Sequence, residues 1–203
     1  MNVVCLDLEG VLIPEIWIGF AEHTGIDALR ATTRDIPVYD DLMRQRLRLL
    51  REHGLKLPDI QNVIAGMSPL DGARAFLDEL REQYQVVILS DTFYEFATPF
   101  MRQLGWPTLF CHRLQVESDG QVSGYLLRQE DPKRHAVEAL HGLNYRVIAA
   151  GDSYNDTTML TAADAGILFR APDNVIAEFP QFPTATAYSE LAGLIRDRSA
   201  ALG

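Results

Sequence analysis

Two acids stand two positions apart in Val3-Val4-Cys5-Leu6-Asp7-Leu8-Glu9-Gly10-Val11, directly after an apolar run. A continuous run of this kind reads as a strand buried on both faces, the habit of a parallel α/β sheet, where ligands bind in the crevice at the carboxyl ends of the strands. The spacing lets the Asp7 and Glu9 side chains lean to one side, and Gly10 permits a sharp turn behind them. Seen alone, the stretch reads equally as a strand followed by an acidic turn. A second stretch repeats the design: Arg146-Val147-Ile148-Ala149-Ala150-Gly151-Asp152-Ser153-Tyr154-Asn155-Asp156 is a strand, a glycine and two acids, followed by a helix-like run over 157–163. Carboxylates crowded about 4 Å apart repel by roughly 4 kcal/mol per pair at an effective dielectric near 20. A hard dication with oxygen ligands, most simply Mg2+, relieves that repulsion.

Two smaller signals complete a set. Val86-Val87-Ile88-Leu89-Ser90-Asp91-Thr92 is a third buried strand, ending in a hydroxyl. Asp131-Pro132-Lys133-Arg134 reads as a helix start, with Asp131 as N-cap and Pro132 at the first helical position. A carboxylate, a hydroxyl, a lysine and a further acid pair, in that order, are what phosphoryl transfer to an aspartate requires. The carboxylate attacks phosphorus, the hydroxyl and lysine hold phosphate oxygens, and a metal neutralises charge on both. A cation at a helix N-terminus opposes the macrodipole, which argues that Lys133 is more than a surface residue.

In order and spacing these stretches resemble the four motifs of the haloacid dehalogenase superfamily of phosphatases, over nearly the whole chain. The resemblance implies a Rossmann-like parallel α/β sheet with a helical cap inserted after the first strand: a core of residues 1–13 and 68–203 and a cap of residues 14–67. It implies Asp7 as nucleophile and Glu9 as general acid/base. Asp7, Glu9 and Asp152 would hold Mg2+, with Asp156 orienting that cluster from behind. Ser90 and Lys133 would bind phosphate, the backbone N–H of Asp91 would assist, and Asn155 would donate a hydrogen bond to substrate. The Asp91 carboxylate has no place in this scheme. Within the phosphoserine phosphatase branch, a Glu soon after the first motif binds the ammonium group and an Arg on a cap helix binds the carboxylate. Glu15 and Arg46 match those positions, with Met43 one turn from Arg46 on the same face.

The chain also departs from the pattern. Glu9 stands where most relatives carry Asp, Gly10-Val11 where a Thr or Ser usually follows the second acid, and Asp91-Thr92 where phosphoserine-type relatives have two glycines. In these departures the chain resembles a bacterial subgroup, the bifunctional phosphoserine phosphatase/homoserine phosphotransferases. Phosphoserine is then the expected substrate and homoserine a second acceptor. A phosphatase for another small phosphate ester is the alternative. A non-enzymatic receiver module, which also sets an Asp, a Ser/Thr and a Lys around magnesium, is the rival from another class. The chain length, the helical insertion and the acid pair after the lysine stand against it.

The elements that must position these residues follow from periodicity. Ile16, Trp17, Phe20 and Ala21 suit one face of a helix ending near Gly25, and residues 26–33 suit a second. Residues 39–50 give the clearest helix, with apolar positions at 39, 42, 43, 47 and 50, and a short one follows Pro58. After Pro69 the α/β rhythm resumes. The helix over 71–84 turns Ala73, Phe76, Leu77 and Leu80 inward, and the strand over 85–90 is followed by a helix over 93–104. A hairpin turns about Asp119-Gly120. A helix over 132–141, strands over 145–150 and 165–169, a helical turn over 172–178 and a last strand over 184–188 follow, with Ser189 capping the final helix. The 203 residues, 47% of them hydrophobic, suffice for one sizeable core. A net charge of −10 suggests no nucleic-acid or anionic-membrane partner. No apolar run approaches a membrane span and no signal peptide precedes the first strand. Cys5 and Cys111 suit small buried thiols in a reducing cytoplasm. The arginines at 44, 46, 48 and 51 are expected mostly on a solvated face, and the five histidines, 23, 53, 112, 135 and 141, as structural or surface residues. No feature of the sequence sets an oligomeric state.

Overall fold

The computed structural model describes residues 1–32, 35–36 and 38–203. Its strands are β1 (Asn2–Leu6), β2 (Gln85–Phe93), β3 (Thr108–Val116), β4 (Val122–Leu126), β5 (Arg146–Gly151), β6 (Ala165–Phe169) and β7 (Thr184–Ala185). Its α-helices are α1 (Ile16–Thr24), α2 (Tyr39–Glu52), α3 (Leu57–Ala65), α4 (Ala73–Gln83), α5 (Tyr94–Gln103), α6 (Pro132–Gly142), α7 (Thr157–Ala162), α8 (Asp173–Glu178) and α9 (Tyr188–Leu202). The strands form one sheet in the order β4-β3-β2-β1-β5-β6-β7. All neighbours pair in parallel except β3 and β4, the expected hairpin.

The order explains where a site belongs. The chain walks outward from β1 through β2 and β3 to β4, then crosses back to β5 on the other flank of β1 and walks outward again. This reversal beside β1 is a topological switch point, and a crevice opens at the carboxyl ends of the strands there. β1 is central because both its faces are apolar. Val4 and Leu6 join a core with residues of α4, α5 and α9, while Val3 and Cys5 join a second core with residues of α6, α7 and α8. Helices therefore cover both faces of the sheet, as its apolar strands require.

Between β1 and α4 the described residues hold α1, a 3-10 turn, α2 and α3. Their buried side chains Trp17, Phe20, Leu49, Ile60 and Ile64 are continuous with the first core. The Trp17 ring meets Phe96 edge-on at 5.3 Å, and Gln61 Nε2 donates to the Glu95 carbonyl at 2.7 Å. The insertion also ties to the hairpin: Leu57 N–H donates to the Gly120 carbonyl at 2.9 Å, and Lys56 pairs with Asp119 at 2.8 Å. Cys5 and Cys111 are buried and free. Among the described residues no helix is long and apolar enough to cross a membrane.

Several local expectations need correction. The second insertion helix is a 3-10 turn over Asp27–Arg30, and the expected end at Thr33 lies outside the described residues. Strand β2 runs on to Phe93, with a register shift against β3 between Leu89 and Phe93. Strand β7 is only Thr184–Ala185, and Ser189 does not cap α9. Ser189 lies inside the first turn, behind Ala187 at the N-cap, and Glu190 reaches back to accept from the Thr186 and Ala187 N–H groups at 2.8 and 3.1 Å. Asp131 does stand before α6, but at φ 44 with no side-chain cap bond. Its carboxylate instead accepts from Arg134 Nε at 2.5 Å and from the Thr158 hydroxyl at 2.8 Å.

Candidate active site

Asp7 follows the last residue of β1, Ser90 falls in the shifted end of β2, and Asp152 follows β5. Because β2 and β5 flank β1 in parallel register, their carboxyl ends meet at one place. Asp7 N–H continues the ladder to the Ala150 carbonyl at 2.9 Å, which fixes the nucleophile candidate against β5. The loop after β1 closes on itself, with Leu12 and Ile13 N–H donating to the Leu8 carbonyl and Gly10 N–H to that of Ile13. Tyr188, stacked between Phe76 and Phe169, pins this loop by donating its hydroxyl to the Val11 carbonyl at 2.6 Å.

Asp7, Asp152 and Asp156 each offer an oxygen within 4.8 Å of the others. Lys133, 2% exposed at the start of α6, sits among them. Its Nζ lies 2.9 Å from Asp7 Oδ1, 2.7 Å from Asp156 Oδ1 and 3.6 Å from Asp91 Oδ2. The second Asp156 oxygen accepts the N–H groups of Asp152 and Ser153 at 2.9 and 3.1 Å. Asp156 is thus occupied in shaping the loop after β5 and in holding Lys133.

Charge is unbalanced here. Burial, with Asp156 and Asp152 nearby, raises the Asp7 carboxyl well above its usual range despite Lys133. Burial and the same neighbourhood push Asp152 up to about 7. Burial works against the Lys133 charge, but Asp156, Asp7 and Asp91 outweigh it and hold the ammonium well above its usual value. One buried lysine does not neutralise the cluster, and three hard oxygen donors at this spacing fit a small dication such as Mg2+. Glu9 was expected among the metal ligands, yet its side chain stands apart from the three. Burial, then the neighbouring Glu15, raises its carboxyl well above the usual range, against smaller opposing effects of Thr92 and Arg46. The shift favours the acid form of Glu9, which suits it to donating a proton.

Ser90 and Asp91 stand in β2, the strand beside β1. Ser90 is buried, and its Oγ accepts the Thr92 N–H at 3.2 Å. The strand shifts register here, between Leu89 and Phe93, and the Asp91 carboxylate reaches Lys133. Asn155 Nδ2 donates to Asp91 Oδ2 at 2.8 Å. Lys133, then the His112 ring 3.8 Å away and the Asn155 hydrogen bond, hold the Asp91 carboxyl well below the usual range despite its burial. The otherwise unplaced Asp91 carboxylate is therefore built into a network.

Above Asp7, the insertion supplies Glu15, at the start of α1, and Arg46 and Met43 on α2. Met43 is buried and its sulfur lies 3.8 Å from Arg46 Nη1. Arg46 departs from the solvated-face expectation for its cluster, being 8% exposed. Its guanidinium stacks 4.5 Å over Trp17 and donates to the Ala31 carbonyl at 3.0 Å. Burial lowers its pKa to about 10, with Tyr39, Glu9 and Glu15 working the other way. Among the described residues its buried Nε has no partner. Arg44 and Arg48 pair with Asp41 and Glu52 on the surface, as expected.

Sequence reasoning missed Thr92, Trp17 and His112. Thr92 and Trp17 carry no polar signal that would separate them from a strand end and an apolar helix face. His112 stands in β3, buried, with Nε2 3.8 Å from Asp91 Oδ1.

A family model described as a haloacid dehalogenase-like hydrolase matches residues 1–164. Phosphoserine phosphatase ThrH of Pseudomonas aeruginosa is 69% identical over 191 residues, covering 94% of this chain and 93% of that protein. A phosphoserine phosphatase of Pseudomonas syringae pv. tomato is 68% identical over 191 residues, covering 94% and 81%. A solved phosphoserine phosphatase from T. onnurineus superposes with a TM-score of 0.71 at 24% identity, over 96% of this chain and 94% of that one. A structure of a phospho-aspartyl intermediate analogue of phosphoserine phosphatase does so at 0.71 and 22%, over 87% and 90%. At such identities these two structures speak for the fold alone. The sequence matches set aside a receiver module, and the chain belongs to the haloacid dehalogenase-like hydrolase family, in its phosphoserine phosphatase branch.

Proposed function

We propose that the protein is a Mg2+-dependent phosphoserine phosphatase acting through a phospho-aspartyl intermediate, and that it also passes the phosphoryl group to homoserine. The observation that carries the substrate is Arg46. A guanidinium buried on Trp17 with an unpartnered Nε is costly unless an anion completes it. The α-carboxylate of an amino acid fits that vacancy, and Glu15, beside Glu9, suits the ammonium group. Both named Pseudomonas relatives support this choice.

In this reading residues 14–67 form a cap that selects the head of the substrate and excludes water. Ser90, Lys133 and the Asp91 N–H hold the phosphate oxygens. Asp7, held by Lys133 and the β5 ladder, attacks phosphorus with one carboxylate oxygen while the P–O bond to serine breaks. Glu9, kept protonated by burial and Glu15, gives its proton to the departing serine oxygen. Asp7 and Asp152, braced by Asp156, would hold Mg2+, which supplies charge neutralisation for the phosphoryl oxygens. Glu9, now a carboxylate, takes a proton from water or from the homoserine hydroxyl as that oxygen attacks the phosphoryl group and frees Asp7. Asn155, tied to Asp91, stands at the rim where it can donate to bound substrate.

Homoserine is serine with one more methylene, so its ammonium and carboxylate can use Glu15 and Arg46. The contact between Glu9 and Glu15 favours this second acceptor, because it joins the proton-transfer group to the group that would hold the head. The test incubates the enzyme with phosphoserine and Mg2+, with and without homoserine, and measures phosphate and O-phosphohomoserine by mass spectrometry. The expected result is chelator-sensitive phosphate release and a second product at saturating homoserine. Asp7→Asn should abolish both. Free phosphate alone would rule out transfer, and turnover by folded Asp7→Asn would rule out the aspartyl intermediate.

A further inference from the structure

Asp91 places a carboxylate beside Ser90 and Lys133, where the proposed function needs room for phosphoryl oxygens. A like charge there repels the substrate unless something holds it aside. Three groups reach it: Asn155 Nδ2 at 2.8 Å, Lys133 Nζ at 3.6 Å and His112 Nε2 at 3.8 Å. The first two also belong to the substrate face. His112 does not: it comes from β3, behind Asp91, and is 3% exposed. Its Nδ1 accepts the Arg128 backbone N–H at 3.0 Å. That bond fixes the neutral tautomer, with the ring proton on Nε2 facing Asp91 Oδ1. Phe93 packs against the same ring with centroids 6.3 Å apart, so the ring is oriented by packing as well. A buried imidazole with one nitrogen committed to the backbone and the other turned to a carboxylate is arranged to steer that carboxylate.

We propose that His112 is a positioning residue: it faces Asp91 Oδ1 while Asn155 and Lys133 hold Oδ2, fixes the orientation of that carboxylate beside Lys133, and so sets the affinity for phosphate. The proposal rests on the phosphoryl-transfer reading of the site, but not on which phosphate ester is the substrate. His112 touches no reacting atom and acts only through Asp91.

The test measures inorganic phosphate binding by calorimetry, and KM and kcat for phosphoserine, in the full-length Mg2+-loaded protein. His112→Phe keeps a ring and removes the donor, and His112→Gln restores an N–H donor. With Asp91 present, His112→Phe should weaken phosphate binding and raise KM about fivefold, less than a full charge-assisted hydrogen bond because Nε2 and Oδ1 are 3.8 Å apart. His112→Gln should recover most of that loss. In an Asp91→Asn background, His112→Phe should change either quantity by less than about twofold, the limit of independent sites. An equal loss in both backgrounds, or a fall in kcat with KM unmoved, overturns the proposal. Should His112→Phe not fold, the His112 imidazole N–H resonance of the wild type decides. Phosphate should shift it, Asp91→Asn should abolish the shift, and no shift on saturation overturns the proposal. If the wild type binds phosphate without hydrolysing phosphoserine, the substrate assignment falls and the His112 result stands. If it binds no phosphate, both fall.

Discussion

Gly10 backs directly onto Asp152: a Cβ at Gly10 would lie 2.5 Å from the Asp152 carboxylate carbon. Gly10 also holds φ +74, a conformation L side chains rarely adopt. The same relation recurs between Gly151 and Asp156, where a Cβ would lie 2.3 Å from the carboxylate carbon. Each strand end thus carries a glycine because a carboxylate must pass close to its backbone. The missing side chains are what let acids from two loops converge on one point.

Gly10→Ala should therefore damage the site more than the fold. The left-handed backbone costs about 1–2 kcal/mol for alanine, and the new methyl group displaces Asp152. A misplacement of about 1 Å in a reacting constellation can cost a hundredfold in rate, so kcat should fall by about that factor while the protein stays folded. Circular dichroism and steady-state kinetics check both parts, and a fall in melting temperature without loss of kcat would contradict the account.

Asp152→Asn should separate metal binding from folding. In chelator, the variant removes one charge from a crowded anionic cluster, so it should melt no lower than the wild type. The wild type should gain stability with Mg2+, by about 2.7 kcal/mol at a hundred times the dissociation constant. The variant should lose most of that gain. Thermal melts across a magnesium series measure it, and an undiminished gain in Asp152→Asn would remove Asp152 from the metal site.

The ends of β1, β2 and β5 were legible because each is an apolar run meeting polar residues, and a parallel sheet brings such ends together. The inward faces of α1 and α4 were legible for the same reason: Phe20 and Phe76 fall on a regular 3.6-residue stripe. What stayed hidden depends on separate segments meeting in space. Arg46 is singled out by its resemblance to the carboxylate-binding arginine of the branch, but its packing on Trp17 of another helix has no sequence signal. His112 gains its partner from a register shift in the neighbouring strand. Ser189 has the side chain of a cap, but α9 starts one residue before it, where Glu190 reaches back to the Thr186 and Ala187 N–H groups. The side chain of Glu9 follows its partners Glu15 and Thr92, so its strand-end position did not foretell its absence from the carboxylate cluster.

Arg46→Ala should change selectivity rather than chemistry. Losing a charge-assisted hydrogen bond costs about 1.5–3 kcal/mol, or roughly ten- to two-hundredfold. That loss should appear in kcat/KM for phosphoserine and be largely absent for an aryl phosphate that has no amino acid head. Lys133→Ala should lower both. Parallel assays of the two substrates check this, and equal losses in Arg46→Ala would place Arg46 outside substrate recognition.

Glu9→Asp should shift the choice between acceptors. Glu9 reaches Glu15 and Thr92 with the length of a glutamate, and an aspartate is one methylene shorter. The contact with Glu15 should then be lost, and with it the link between the proton-transfer group and the proposed ammonium site. Both water and homoserine need a base, so the shorter acid should slow both, but homoserine must also be aligned through its head. Held orientation is what lets a bound alcohol compete with solvent water, so transfer should suffer more than hydrolysis. The ratio of O-phosphohomoserine to phosphate should fall about tenfold, on the scale of a methylene-sized mismatch worth about 1–3 kcal/mol. Product ratios at saturating homoserine give this directly and are independent of enzyme concentration. A ratio unchanged by the substitution, with both products slowed alike, would mean that Glu9 serves the two acceptors identically and that its length has no part in selecting between them.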